Sequence, residues 1–207
     1  SFIHYNHQTI SKMTSGSFKI VLGCLLIILS TASSVSQVCP SKKVYNTSRA
    51  VAAPVIDGVD DDEGWKTVEW GDDFIQIEPQ ENMPPSQKTA FKILYDDNNL
   101  YVFIRAFDDE PDKISRIISR RDNFSGDRVT LLVDSYFDKQ TAFAFTAMAS
   151  GSKGDETVTM DGNYWDSGWN PVWYLATSTD EKGWSAEMRI PLSQLRFGKK
   201  EIQTWHL

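Results

Sequence analysis

Histidine, cysteine and clustered positive charge are scarce in this sequence, and each shortage closes a class of chemistry. Its three histidines are His4, His7 and His206, so nothing between residues 8 and 205 can serve as an imidazole base or ligand. A Ser-His-Asp triad, a histidine-bound zinc and a histidine-ligated haem are therefore excluded from the body of the chain. The two cysteines are Cys24 and Cys39. Cys24 falls in an apolar run read below as a leader, which leaves Cys39 single and rules out an internal disulfide. No glycine-rich phosphate loop of either common spacing is present. The densest basic run, Arg116 with Arg120 and Arg121, is small, and the net charge is −7. Neutralising nucleic-acid phosphates needs the opposite balance, so no nucleic-acid partner is expected.

Long apolar runs are also lacking. The longest, IVLGCLLIIL at 20–29, is about half of the roughly 20 residues that a bilayer span requires. Lys12 and Lys19 precede it and TASSVSQ follows it, the layout of a secretory signal peptide. Met13 is the expected start, residues 1–12 being an over-extended frame, with cleavage expected after Ser36 or, alternatively, after Ser34. A lipoprotein reading through Cys24 is the rival interpretation. Residues 1–36 are thus assigned to the leader, 37–50 to a polar linker and 51–207 to one folded domain. A domain without a disulfide stands on its core, and about 160 residues bury roughly 70% of their unfolded surface.

What the chain does have is alternation. Residues 88–95 and 100–107 show period-2 patterning, and Asp96-Asp97-Asn98-Asn99 between them supplies turn chemistry, so a hairpin is expected there. Further strands are expected at 128–134, 141–148, 156–160, 172–178 and 184–190. In the last, Trp184, Ala186, Met188 and Ile190 share one face. The best helical segment is a short turn at 113–119. Many short strands with frequent turns predict an all-β fold, an antiparallel β-sandwich of immunoglobulin-like or jelly-roll-like type.

Aromatics make up 12% of the residues, with seven tryptophans. The stretch DGNYWDSGWNPVWYLAT at 161–177 holds three of them at spacings of four. On an extended chain the three would point one way, but Gly168, Asn170 and Pro171 interrupt it. Trp173 heads a strand and reads as core. Trp165 and Trp169 are either lids over the open end of a sandwich or flat platforms on which a sugar ring stacks. Trp65 and Trp70 read as structural, with Trp65 expected to plug the sandwich. Acidic residues gather at 60–63 and 108–110 and recur at Asp127, Asp134, Asp155 and Asp161. They read first as turn-formers, next as oxygen ligands for calcium, and last as a glycosidase carboxylate pair.

Four motifs, APVIDGVDDDEGW, TAFKILYDDNNLYVFIRAFDDEP, GDRVTLLVDSYFD and GWSAEMRIPLSQLRF, resemble the family 9 carbohydrate-binding module. They are most similar to the version at the N-terminus of secreted bacterial proteins that end in a predicted outer-membrane β-barrel. The resemblance spans 51–207 and implies a β-sandwich, a poly- or oligosaccharide ligand and often bound calcium. It also implies a periplasmic, outer-membrane or cell-surface location, a role in carbohydrate catabolism, and a barrel partner beyond a C-terminally truncated domain. In sugar-binding members a tryptophan stands where this chain has Phe124, a glutamate where it has Thr130, and an arginine near Thr146; the second stacking tryptophan lies near the family domain's end. The expected ligand-binding residues are therefore Phe124, Trp165 and Trp169 for stacking. Arg121 and Asp122 are expected to make hydrogen bonds, or else to be ion-paired in a solvated loop. The domain is expected to be non-catalytic by itself. The rival readings are a docking module for the barrel with no glycan ligand, and part of a glycoside hydrolase.

Overall fold

The computed structural model describes residues 43–207. The expected leader at 1–36, Cys39 and the start of the linker lie outside the described residues. The described chain forms nine strands: β1 (Ser48–Arg49), β2 (Thr89–Tyr95), β3 (Asn99–Phe107), β4 (Arg128–Val133), β5 (Ala142–Met148), β6 (Lys153–Thr159), β7 (Tyr164–Asp166), β8 (Tyr174–Asp180) and β9 (Gly183–Pro191). The hairpin joins β2 to β3 in antiparallel register, Tyr95 opposite Leu100. Asp96 makes its turn by accepting the amide protons of Asn98 and Asn99 on Oδ1 and the Tyr101 hydroxyl on Oδ2.

Two sheets result, one ordered β1-β2-β3-β9-β8 and the other β4-β5-β6-β7. All neighbours are antiparallel except β1, which pairs parallel to β2. That pairing alters the reading of 37–50 as a bare linker. Tyr45 donates its hydroxyl to the Glu69 carbonyl and packs on the core, and Thr47 donates to the Ile93 carbonyl. Among the described residues there is no α-helix, only 3-10 turns such as Glu63–Thr67 and Pro111–Lys113. The helical turn expected at 113–119 stops at Lys113. Ser115 then gives its amide proton to the Asp127 carboxylate and accepts the Asp127 amide proton, which keeps the chain extended.

The sheets face each other across one core. Val102 and Ile104 of β3 and Ala186, Met188 and Ile190 of β9 meet Leu131, Val133, Phe145 and Ala147 of β4 and β5. The next residues along the same strands point the other way, as a period of two requires. On β2 and β3 these are Leu94, Tyr101 and Phe103, and they build a second cluster with Trp65 and Val68. Trp65 is therefore fully buried but covers the outer face of the five-stranded sheet; it does not plug the space between the sheets.

Glu187 of β9 explains that placement. It points outward, lies wholly under the 54–65 segment, and accepts three protons: from the Asp57 and Gly58 amides on Oε2 and from Trp65 Nε1 on Oε1. Burial raises its pKa above the usual 4.5, although all three donors pull the other way. Gly58 has a left-handed φ of 89°, and a Cβ there would lie 2.9 Å from the Thr177 carbonyl carbon. Only glycine fits so close to β8. The IDG…W motif is thus a latch that ties the segment before the hairpin onto β9 and β8.

Candidate functional site

The outer face of the four-stranded sheet is the candidate site, and its floor follows from register. Phe143, Phe145 and Ala147 of β5 turn to the core, so Ala142, Ala144, Thr146 and Met148 turn outward. Their partners on β6 are Val158 for Ala142, Glu156 for Ala144 and Gly154 for Thr146. On β4, Thr130 stands opposite Thr146, and Leu132 opposite Ala144. On β7, Trp165 stands opposite Val158. Ala144, Thr146, Met148 and Val158 are themselves buried, so what this face offers to solvent is Thr130, Leu132 and the Glu156 carboxylate.

Two aromatic rings rise over that floor. Phe124 lies on Gly154, where a Cβ would come within 2.4 Å of its ring. The missing side chain at 154 is the seat of the ring. Trp165 is 45% exposed and donates Nε1–H to the Gly162 carbonyl at 2.9 Å. From Gly154 to Val158, the β6 partner of Trp165, the strand advances about 13 Å. Between them stands Glu156, partly buried, with its pKa raised first by burial and then by the charge of Asp122. Arg128 donates to the Phe124 carbonyl at 3.2 Å, with its guanidinium 5.9 Å from the ring centre. Thr130 and Thr146 share one hydrogen bond of 2.9 Å across the floor. A hollow of about 310 Å³ continues this face past Leu132, Ala142 and Val158 towards Asp161 and His206.

A strap of chain over residues 119–124 holds Phe124 in place. It runs along the edge of β6 that β7 leaves unpaired. Asp122 gives its amide proton to the Lys153 carbonyl and accepts the Asp155 amide proton on Oδ1, imitating a strand. Its φ of 63° turns the chain there. Arg121 reaches the inner face, where Nε and Nη2 grip the fully buried Asp155 at 2.6–2.9 Å and Nη2 also donates to the Pro171 carbonyl. Trp173 Nε1 completes the Asp155 shell at 3.0 Å. Burial nonetheless outweighs these partners and raises the Asp155 pKa.

The residues nominated from sequence are therefore divided between two faces. Phe124 and Trp165 share the outer face. Trp169 turns to the inner face, packing half-buried against Phe143 and Phe145 at centroid distances of 4.8 and 5.5 Å. Arg121 and Asp122 spend their hydrogen bonds inside the protein and act on the groove by positioning Phe124. Sequence reading missed Glu156 and Arg128. A lone glutamate on a half-buried strand carries no mark of its own, and only the register with Ala144 puts it in the floor. Among the described residues no three His, Cys, Asp or Glu side chains converge on one point.

Chemically, the face presents apolar ring surfaces beside a carboxylate, hydroxyls and a guanidinium. Such a set stacks on the C–H face of a ring and bonds its hydroxyls. The sequence pattern described as "Carbohydrate family 9 binding domain-like" matches residues 56–204. Two similar solved structures are of a carbohydrate binding module family 9 from Caldicellulosiruptor kristjanssonii. The one in complex with glucose is 23% identical, with a TM-score of 0.51, and the match covers 72% of this chain and 70% of that one. The one in complex with cellotriose is 23% identical, with a TM-score of 0.52 and coverages of 76% and 70%. At that identity the likeness is one of fold. No curated protein matches.

Proposed function

Because the chain belongs to the carbohydrate family 9 binding domain-like family, we propose that it is a carbohydrate-binding module. Its ligand is a poly- or oligosaccharide lying along the outer face of β4–β7, and the domain does no chemistry of its own. The observation that carries this reading is the pair Phe124 and Trp165 on one face with Glu156 between them. Phe124 and Trp165 stack on sugar rings, Glu156 accepts hydroxyl protons and Arg128 donates. The glucose and cellotriose held by the two similar modules support a saccharide of this kind. Binding of the chain to a glycan array tests the reading. Retention of a glycan by the wild type, and its loss in a folded Phe124→Ala, Trp165→Ala double variant, is the expected result. A folded protein that binds no glycan would sink it and favour a docking module for a barrel.

The setting of the module belongs to the same proposal. Export to the periplasm or cell surface rests on the apolar run at 20–29 with its basic and small-residue flanks. N-terminal sequencing of the exported product tests it, with cleavage expected at 34 or 36. The barrel partner and a role in carbohydrate catabolism rest on the family resemblance alone. Calcium enters no step of this reading, and a melting curve with and without chelator checks for it directly.

A further inference from the structure

A second cleft, of about 620 Å³, lies between the 54–56 segment, the start of β6 at Lys153 and the start of β8. Its walls are Pro54, Val55, Ile56, Trp173 and Tyr174, and its charged side chains are Lys153 and Arg189 with no carboxylate beside them. This is an odd place to be cationic in a chain with 28 acidic and 21 basic residues. Among the described residues, every other lysine or arginine is either exposed or within 4.0 Å of a carboxylate. Lys153 and Arg189 are partly buried and have neither relief. They share one cleft.

Each is partly satisfied by its neighbours without a carboxylate at ion-pair distance. Arg189 lies with its guanidinium 4.0 Å over the Tyr174 ring, and its Nε is buried without a hydrogen-bond partner. Lys153 gives one proton to the Trp173 carbonyl at 2.6 Å and sits 4.9 Å from the Trp173 ring. Burial and the neighbouring Arg121 charge lower its pKa, with the more distant Asp155 carboxylate pulling the other way. Withdrawing a cation from water without a partner is costly, and a guanidinium stays protonated regardless. A planar oxyanion in the cleft supplies the opposite charge, since Arg meets it through its terminal nitrogens and Lys with a point charge.

We infer that this cleft binds the carboxylate or sulfate group of an acidic saccharide, with its ring against Pro54–Ile56. The volume suits a ligand of that size. The site shares β6 with the groove, Lys153 and Gly154 pointing to opposite faces of the sheet. The oxyanion rests on Lys153 and Arg189, and its being carried by a saccharide rests on the function proposed above.

Calorimetric titration of the full chain with trigalacturonate, its methyl ester and sodium sulfate tests the inference. Trigalacturonate should bind with a stoichiometry of one, and its methyl ester about tenfold more weakly or worse. Arg189→Gln and Lys153→Gln should each weaken trigalacturonate about tenfold, while Phe124→Ala, which disables the groove, should leave this binding in place. Competition by sulfate would assign recognition to the oxyanion alone; its absence would assign it to the acid on its sugar. Either supports the site. Equal binding of acid and ester, acid binding retained by both variants, loss in Phe124→Ala alone, or no heat from any probe would overturn it. Should Arg189→Gln fail to fold, Lys153→Gln and the ester comparison decide the matter.

Discussion

At the scale of single residues, the groove is set by what Gly154 lacks. A methyl group there would collide with the Phe124 ring at 2.4 Å and push it off the floor. Gly154→Ala should therefore weaken glycan binding about tenfold, much as Phe124→Ala does, although it removes no contact group. Titration of both variants with the same glycan checks this, and unchanged affinity in Gly154→Ala would show that the ring does not need its seat. Glu187 offers a second test. Replacing it by alanine strands three donors, the Asp57 and Gly58 amides and Trp65 Nε1. At about 1–3 kcal/mol for each unsatisfied group, the loss should reach about 3 kcal/mol or more in urea unfolding.

Among the elements, the strap at 119–124 couples the core to the groove. Arg121→Ala leaves Asp155 buried without its cation, and the expected cost is about 3–5 kcal/mol by denaturant melting. The same variant should weaken glycan binding more than core variants of equal melting temperature do, because Phe124 rides on the strap. The long strands were legible in the sequence, since alternation over six to nine residues fixes both strand and face. The two-residue β1 and the three-residue β7 were not, being too short to show a period. Trp165 and Trp169, read as one surface, separate because β7 ends at Asp166 and the chain turns at 167–168 before Trp169. Phe124 was legible through family resemblance; Glu156 needed the register of β5 with β6. Arg121 and Asp122 stood out in sequence as charge, whereas their partners, Asp155 and the backbone of β6, are visible only in the fold.

For the whole molecule, two sets of carboxylates set opposite slopes of stability with pH. Glu187 and Asp155 have pKa values raised chiefly by burial. A raised carboxylate pKa favours the fold below the unfolded value, and that contribution is lost as pH rises through the folded value. Asp134 goes the other way. Burial pushes it up, but His206 and the amides of Phe137, Asp138 and Lys139 outweigh that and hold it below 3.8. Its contribution is present above 3.8 and lost as pH falls through the folded value. Melting temperature should therefore rise as pH is lowered towards about 4.5 and fall once pH drops below 3.8. A carbon-13 titration should place the Glu187 midpoint above 4.5 and the Asp134 midpoint below 3.8. The reverse order would refute the assignment.

The strap has one more implication, for how such a domain changes over time. Its clamp is made by residues 121 and 122, whereas the surface offered to a ligand is made by residue 124. Exchange at 124 leaves every bond of the clamp intact, so a saturation library should tolerate many side chains there and few at 121 or 122. Ligand preference can then drift at one codon without crossing a valley of misfolding.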